Sequence, residues 1–212
     1  MERDTELVED LAADIAKRLK RSRTPVPIGV SNRHAHVTAE HCAALFGPGA
    51  ALSRFRDLKQ PGQYASHEKI DVVGPQGKVL GVRLLGPCRA KTQIEVSLTE
   101  AVTLGLRPPL RESGDLGGSA PLRLVGPRGT LAVREGLIIS RRHLHCSPAE
   151  AQSLGVANGE VVRVRVGRGG ERETVFEQIV VRLSDQFSLE LHLDTDEANA
   201  AGVKNGDLAY IV

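Results

Sequence analysis

The sequence predicts a mainly β protein with short helices, built from two tandem, pseudo-symmetric small β-barrels that follow an N-terminal amphipathic helix. Two observations predict this fold class. Short runs of Val, Ile and Leu alternate with Gly-Pro and Asn-Gly turns along most of the chain, which favours compact barrels over a doubly wound sheet. In addition, a motif of the first half recurs in the second at a constant spacing of 109 residues, from His34 to His143, and this is typical of a duplicated domain.

Residues 5–20 predict the amphipathic helix. Apolar residues recur at every fourth position: Leu7, Leu11, Ile15 and Leu19. This spacing places them on one helical face, and acidic residues precede basic ones, as the helix dipole favours. The segment at 21–27 contains two prolines and predicts a linker. We expect residues 1–24 to form either a helix packed on its own domain or a detachable peptide that docks its apolar face on a partner.

Eight apolar runs in the rest of the chain predict strands. They lie at 70–73, 79–85, 94–98, 122–125, 161–166, 179–183, 189–193 and 208–212. Short helices are expected after the repeated motif, because Ser147-Pro148-Ala149-Glu150 forms a capping box and Thr38 can cap the equivalent helix. The Pro-, Gly- and Ser-rich segment 106–120 predicts the break between the halves. The first barrel is therefore expected at 25–112 and the second at 113–212.

Composition and charge exclude several function classes. The formal net charge is +2 and aromatic residues make up 3% of the chain, so no basic groove with stacking side chains for nucleic acid is expected. No apolar run is long enough to span a bilayer, and the charged N-terminus lacks the apolar core of a signal peptide. Three widely spaced cysteines favour a reducing compartment. We expect a cytoplasmic protein without nucleic-acid or membrane partners.

The repeated motif contains two histidines that are two residues apart. The first copy, Ser-Asn-Arg-His-Ala-His, ends at His34 and His36, and the second, Ser-Arg-Arg-His-Leu-His, ends at His143 and His145. Residues i and i+2 of a strand face the same side, about 6–7 Å apart, and imidazole is the commonest protein metal ligand. A single His-x-His is more often structural, but its duplication predicts a pair of metal sites.

A second repeat supplies a third ligand for each site. Segment 93–101 matches 190–198 at a spacing of 97 residues, which aligns Glu95 with His192. Zinc sites that keep one position open for chemistry usually have three protein ligands. The sequence therefore predicts two ligand sets: His34, His36 and Glu95, and His143, His145 and His192. Iron, nickel and copper also accept such ligands, but two similar sites fit a redox-inert pair of zinc ions better.

Cationic side chains precede Glu95 in the sequence. Arg89 lies six residues before Glu95 and follows a Gly-Pro turn. The planar guanidinium group of arginine matches two oxygens of a phosphate or carboxylate. Most other arginines of the chain are expected to be solvated surface charges. A metal beside a fixed arginine predicts phosphoryl or acyl-phosphate chemistry.

Five motifs, in this order along the chain, are shared with one known family. They are Ser-Asn-Arg-His-x-His (31–36), Gly-Gln-Tyr-Ala (62–65), Leu-Gly-Pro-x-Arg-x-x-Thr-Gln-x-Glu (85–95), Arg-His-x-His-x-Ser-Pro (142–148) and His-x-Asp-Thr-Asp-Glu-Ala-Asn (192–199). Together they resemble the PduL-type phosphate acyltransferases of bacterial microcompartments, over nearly everything from Val26 to Val212. The resemblance implies two barrels, two zinc ions and reversible acyl exchange, in which acyl-CoA and phosphate give acyl phosphate and CoA.

The resemblance also implies roles for particular residues. His34, His36 and Glu95 would hold a zinc whose open position takes the CoA sulfur, and the second set would hold a zinc at the acyl or phosphate end. Arg89 resembles the catalytic, phosphate-binding arginine. The residues that resemble CoA contacts are Ser31, Asn32, Arg83 and Asn199. Residues 2–20 resemble the extension that directs packaging, so the expected partners are microcompartment shell or core proteins, the expected location is the microcompartment lumen, and a homo-oligomer is also considered.

Two other function classes stay open on the residues alone. A binuclear metal hydrolase would use the same open metal position to activate water against an acyl phosphate or thioester. A non-catalytic shell or scaffold component would hold its metals structurally, although structural zinc is usually enclosed by four protein ligands. Arg89 and the residues that resemble CoA contacts argue against the scaffold.

Overall fold

The computed structural model describes the chain from Glu2 to Val212, and the side chains of Thr5 and of residues 8–212. The helices of this range are α1 (Glu2–Arg23), α2 (Ala39–Phe46), α3 (Leu98–Leu104), α4 (Pro148–Leu154) and α5 (Thr195–Ala201). The strands are β1 (Val26–Ser31), β2 (His34–His36), β3 (Arg54–Asp57), β4 (Tyr64–Val73), β5 (Lys78–Gly86), β6 (Gln93–Glu95), β7 (Leu110–Arg111), β8 (Ala120–Val125), β9 (Thr130–Ser140), β10 (His143–Cys146), β11 (Val161–Val166), β12 (Thr174–Leu183), β13 (Glu190–Asp194) and β14 (Leu208–Ile211).

The chain divides into two compact units. Unit 1 contains the chain up to Val30 together with Arg142–Leu193 and Glu197–Val212, and unit 2 contains Ser31–Arg141 and Asp194–Asp196. Each unit has its own apolar core, one centred on residues such as Leu144 and the other on residues such as Leu84. The segments that form each unit are therefore interleaved along the sequence.

Unit 1 is a closed six-stranded barrel. Its strands follow one another in the order β1-β13-β10-β12-β11-β14, and β14 pairs with β1 to close the barrel. Strand β10 pairs antiparallel with β13 and parallel with β12. The interior is filled by the alternate apolar residues of these strands, among them Leu144, Val164 and Leu191, which are fully buried. The barrel holds β10 and β13 side by side, and these are the strands that carry the second histidine motif.

Unit 2 closes in the same way. Its barrel follows the order β4-β5-β2-β6-β9-β8, and β8 pairs with β4. Strand β3 extends the sheet beside β4, and β7 pairs with β9. Strand β2 pairs antiparallel with β6 and parallel with β5, as β10 does with β13 and β12. The two barrels confirm the predicted fold class, and their matching strand order confirms the predicted pseudo-symmetry.

The units do not follow the boundary that the sequence suggested between residues 112 and 113. The expected bounds 25–112 place the segment of β1 in the first barrel, but its backbone pairs with β14 of unit 1. The bounds 113–212 place the segments of β8 and β9 in the second barrel, but β8 pairs with β4 and β9 pairs with β6 of unit 2. The hydrogen bonds of these ladders, rather than sequence proximity, decide to which unit each strand belongs.

Helix α1 is longer than the sequence indicated, because it extends through Arg23 into the segment interpreted as a linker. Its last turn contacts α4 and the residue before β11: Arg21 Nε donates to the carbonyl oxygen of Leu154 at 3.0 Å, and Arg21 pairs with Glu160 at 2.9 Å. The predicted apolar face is exposed where the structure describes it. The exposed fractions are 57% for Leu11, 48% for Ile15 and 50% for Leu19, and Val8 beside them is 65% exposed. The side chain of Leu7, which the prediction included, lies outside the described residues.

None of the helices in the described range combines the length and apolar character that crossing a membrane requires.

The predicted helix caps are confirmed, and they follow the motif strands closely. Thr38 accepts from the backbone N–H of His41 at the start of α2, and Ser147 forms a capping box with Glu150 at the start of α4. Ser97 forms a second capping box, with Glu100, at the start of α3. Each cap satisfies backbone N–H groups that the first helical turn leaves unpaired. The caps therefore fix the place where each motif strand ends.

Candidate metal centres

The unit 2 centre is built by the adjacent strands β2 and β6. His34 lies directly opposite Glu95 in this antiparallel pair. Strand alternation directs Ala35 and Ile94 into the apolar core, where both are fully buried, and sends the motif side chains to the other face. The ligand atoms of the set lie within 4.8 Å of one another, and His34 Nε2 lies 3.6 Å from Glu95 Oε2.

The imidazole of His36 is in the form that binds metal. His36 is 2% exposed, and its Nδ1 is buried without a hydrogen-bond partner. Burial, and then the nearby charges of His34 and Arg89, hold the pKa of His36 well below its usual value, so the ring is neutral. His34 Nδ1 donates to the carbonyl oxygen of Asn32 at 2.9 Å, which assigns a proton to Nδ1 and makes Nε2 the ring atom that faces Glu95.

The unit 1 centre repeats this construction with a third imidazole. His143 lies opposite His192 in the antiparallel pair of β10 and β13. The ligand atoms of His143, His145 and His192 lie within 4.8 Å of one another. Their ring centroids are 4.6–4.8 Å apart. The third ligands of the two sets, Glu95 and His192, therefore occupy equivalent places in the two barrels.

His145 has the most restricted surroundings of this set. Both of its ring nitrogens are buried without a hydrogen-bond partner, and the Phe187 ring stacks on it at 3.9 Å. Burial, and then the neighbouring imidazoles of His143 and His192, lower the pKa of His145 to about 2. Buried polar atoms of native proteins are nearly always partnered, so a ring with two unpartnered nitrogens among other ligand atoms fits a site that holds a metal ion.

The arginines next to the two histidine motifs form equivalent ion pairs. Arg33 pairs with Glu100 at 2.9 Å in unit 2, and Arg142 pairs with Glu197 at 2.8 Å in unit 1. Glu100 and Glu197 are themselves related by the 97-residue spacing. These ion pairs fix the start of each motif against the chain that follows the third ligand.

Arg89 lies near the unit 2 centre, in the turn after β5. The peptide bond between Gly86 and Pro87 is cis in this turn. The backbone N–H of Arg89 donates to the carbonyl oxygen of Val37 at 2.9 Å. Its guanidinium group donates to Ser113 Oγ at 3.3 Å and to Gln63 Oε1 at 3.4 Å. Ser113 Oγ also accepts from Gln93 Nε2, which in turn donates to Glu95, so a short chain of hydrogen bonds connects Arg89 to a ligand of this centre.

The four residues that resemble CoA contacts lie on or beside three elements, β1, β5 and α5. Arg83 of β5 lies beside His34 in the parallel pair with β2, donates to the Ser66 carbonyl oxygen, and places its guanidinium carbon 4.7 Å from the centre of the Phe55 ring. Asn32 is exposed, and its Oδ1 accepts from the Thr195 hydroxyl at 2.9 Å. Ser31 is the last residue of β1, and Asn199 is exposed on α5.

Three polar residues at these centres were not predicted. Gln93 and Glu190 lie two residues before the third ligands on β6 and β13, and the 97-residue spacing that matched Glu95 with His192 also matches them. This match gives no sequence signal for a shared role, because an amide and a carboxylate are chemically different. Ser113 lies in segment 106–120, which the sequence analysis interpreted only as the break between the halves.

Comparison with known proteins gives the chain its family. A family model described as "Phosphate propanoyltransferase" matches residues 27–204, a range that includes both ligand sets. The chain belongs to the phosphate propanoyltransferase family. Membership of this family makes it an enzyme of the acyltransferase class.

Relatives in this family align with almost the whole chain. A protein of Thermotoga maritima named "Phosphate propanoyltransferase" is 46% identical over 195 residues, which cover 92% of this chain and 92% of the relative. A protein of Priestia megaterium with the same name is 47% identical and covers 97% of this chain and 93% of its own length. A third relative, a protein of Rhodobacter capsulatus with the same name, is 44% identical, and the alignment covers 98% of this chain and 95% of the relative.

Proposed function

We propose that this protein is a zinc-dependent phosphate acyltransferase that transfers a short acyl group reversibly between CoA and phosphate. Family membership supports acyl transfer. The observation that carries the zinc part is the pair of buried three-ligand clusters, in which imidazole nitrogens of His36 and His145 have no hydrogen-bond partner. In the reaction, the acyl group of acyl-CoA passes to a phosphate oxygen, and CoA leaves as the thiol.

The two ligand sets differ in charge. When bound, zinc supplies Lewis acidity and lowers the pKa of a thiol at its open position. As metal ligands, a carboxylate and two neutral imidazoles would bring one negative charge to the unit 2 centre, and three neutral imidazoles would bring none to the unit 1 centre. The unit 2 set therefore suits the sulfur of CoA, and the neutral unit 1 set suits the more anionic acyl or phosphate end of the substrates.

Arg89 is proposed to bind the phosphate group. Neutral oxygens of Ser113 and Gln63 accept its hydrogen bonds and so fix the plane of the guanidinium group. A planar arginine donates two parallel hydrogen bonds to phosphate oxygens. In the transition state this contact offsets the negative charge that develops on the transferred group. Ser31, Asn32, Arg83 and Asn199 are proposed to contact CoA.

The test of this function is a coupled-substrate assay. Purified protein is mixed with acetyl phosphate or propanoyl phosphate and with CoA, and thioester formation is followed by its ultraviolet absorbance. We expect thioester only when both substrates are present, loss of the activity after treatment with a chelator, and recovery when zinc is added. Consumption of acyl phosphate at the same rate with and without CoA would instead identify a hydrolase.

We further propose that the enzyme works inside a bacterial microcompartment, with residues 2–20 docked on a shell protein. Two features of α1 support this. Val8, Leu11, Ile15 and Leu19 are about half exposed or more, although they form one apolar face. Arg21, in the last turn of the helix, donates to the carbonyl oxygen of Leu154 in α4, whereas the four apolar side chains remain exposed, as expected of a face that docks on a partner.

A further inference from the structure

In both centres, the third ligand is hydrogen-bonded to the residue two positions before it on the same strand. Gln93 Nε2 donates to Glu95 Oε1 at 2.5 Å. In the other barrel, Glu190 Oε2 lies 3.0 Å from His192 Nε2. Strand alternation places each pair on one face of its strand. The same contact therefore occurs twice, at positions that the 97-residue spacing makes equivalent.

The chemistry of the two contacts is complementary to the ligand. Glu95 is a carboxylate, which only accepts hydrogen bonds, and its partner Gln93 presents an amide group that donates. His192 is an imidazole that donates through one ring N–H, and its partner Glu190 is an acceptor. Where the ligand differs between the barrels, the partner residue differs with it, so that a donor always meets an acceptor.

Other contacts orient the amide of Gln93. The backbone N–H of Gly114 donates to Gln93 Oε1 at 2.7 Å. A backbone N–H can only donate, so the amide oxygen must face Gly114 and the amide nitrogen must face the carboxylate. The same nitrogen donates to Ser113 Oγ at 2.8 Å. Gln93 is 2% exposed, and solvent therefore does not compete for these hydrogen bonds.

A glycine makes room for Glu190. A Cβ atom on Gly29 of β1 would lie only 2.7 Å from Glu190 Cδ, so any larger residue at position 29 would push the carboxylate away. The side chain of Glu190 is 12% exposed. The place of the carboxylate beside His192 thus depends on a residue far away in the sequence.

We propose that Gln93 and Glu190 are positioning residues of the two metal centres. Gln93 occupies one carboxylate oxygen of Glu95 and leaves Oε2 for the metal, whereas Glu190 accepts the Nε2–H of His192 and leaves Nδ1 for the metal. Loss of such an outer partner typically weakens metal affinity about 10- to 100-fold. The inference rests on the zinc sites of the proposed function, and its test measures zinc binding directly.

The first experiment measures zinc affinity by competition with a chromophoric chelator. Each centre is measured alone, with His192→Ala removing the unit 1 centre and His36→Ala removing the unit 2 centre. Gln93→Leu should weaken the unit 2 centre about 10- to 100-fold, and Glu190→Leu should do the same to the unit 1 centre. Glu190→Gln keeps an acceptor oxygen and should keep most of the affinity.

Position 29 supplies a test that leaves β13 and its ligand unaltered. Gly29→Ala should displace Glu190 and weaken the unit 1 centre as Glu190→Leu does. The matched control is Gly117→Ala, because a Cβ atom there meets nothing within 4 Å. A Gly29→Ala protein with wild-type affinity at this centre would overturn the role of Glu190.

The complementary chemistry is tested by converting one centre into the other. Glu95→His alone should bind zinc weakly, because the new imidazole meets the amide group of Gln93. The double variant Gln93→Glu with Glu95→His recreates the Glu190–His192 pair and should regain affinity. If the two changes have independent, additive effects, the proposed matching is wrong.

The cobalt-substituted protein separates positioning from direct ligation. Glu190→Gln should leave the visible d–d spectrum of the unit 1 centre close to that of the wild type. A spectrum altered as strongly as that of Glu190→Leu would make Glu190 itself a ligand and overturn the proposal. Absence of zinc binding in the wild-type protein would refute the zinc part of the proposed function, whereas unaltered binding in all these variants would refute only the positioning roles.

Discussion

At the scale of single residues, the protonation state of the buried histidines determines what the clusters can hold. Burial lowers the pKa of both His36 and His145, so each ring stays neutral and keeps a lone pair. Protonated imidazoles this close together would repel one another in a site that excludes water. His36 and His145 therefore bring lone pairs rather than positive charge to their clusters, and this favours a cation such as zinc over an anion as the occupant.

Arg89 offers the most direct test of the proposed phosphate binding. Arg89→Lys keeps the positive charge but removes the planar pair of donors that Ser113 and Gln63 orient. Because a hydrogen bond to a charged group contributes about 1.5–3 kcal/mol, kcat/KM for acetyl phosphate should fall roughly 10- to 100-fold. The KM for CoA should change little. Steady-state kinetics with each substrate varied in turn measure both effects.

Arg134→Lys is the matched control for this change, because Arg134 is exposed on β9 and has no proposed role. Its kinetics should equal those of the wild type. An Arg89→Lys enzyme with an unchanged kcat/KM for acetyl phosphate would remove Arg89 from phosphate binding.

Metal ligands can be predicted from the sequence wherever both copies of the repeat carry a side chain that binds metal. The spacing that aligned Glu95 with His192 found both third ligands, and the structure places them at equivalent positions. Ser113 could not be found in this way, because it lies in a loop without periodicity. Its contacts with Arg89 and Gln93 exist only in the folded chain.

At the scale of elements, each ligand strand is coupled to the helix that follows it. Thr38, Ser97 and Ser147 cap their helices, and each lies two residues after a ligand-type residue. A cap of this kind contributes about 1 kcal/mol. The local sequence thus stops the strand and starts the helix within one turn, which is why these short helices were predictable without knowledge of the barrels.

Removal of residues 1–20 tests the role proposed for α1. The truncated enzyme keeps Arg21 and all proposed site residues, so its kcat/KM should equal that of the full chain. It should no longer co-purify with shells when shell proteins are co-expressed, because the apolar face is lost. Quantitative immunoblotting of purified shells measures the packaged fraction.

Point substitutions in α1 separate the apolar face from the helix as a whole. Ile15→Glu puts a charge into the apolar face and should reduce packaging strongly. Ala13→Glu introduces the same residue on the opposite side of the helix, where 3.6 residues form a turn, and should be packaged normally. Equal packaging of the two variants, or a truncated enzyme that is insoluble, would favour a helix that only packs on its own unit.

At the scale of the whole molecule, the sequence predicted the fold class but not the division of the chain. The Pro-, Gly- and Ser-rich segments predict boundaries near residues 24 and 112, and these boundaries place the segment of β1 in the first barrel and those of β8 and β9 in the second. In the structure, each barrel receives the strand that leads into the histidine motif of the other unit: β1 closes the unit 1 barrel and β9 pairs within unit 2. No local propensity signals this exchange, because β1 and β9 are suitable strands for either barrel.

Each ligand set nevertheless lies wholly within one unit, and this predicts how the molecule loses metal. The wild-type protein should contain about two zinc ions per chain. His36→Ala and His192→Ala should each retain about one, and the double variant should retain none, because removing one of three ligands leaves two, fewer than zinc sites use. Elemental analysis of desalted protein measures the zinc content.

His67→Ala is the control: His67 packs against Phe55, outside both sets, and this variant should keep both ions. A single variant that loses both ions would show that the two centres depend on each other, and single variants that keep both ions would refute the ligand sets. The expected result, in which each single variant loses one zinc ion and keeps the other, would mean that the duplicated scaffold carries two separable centres. Only one of these centres includes a carboxylate.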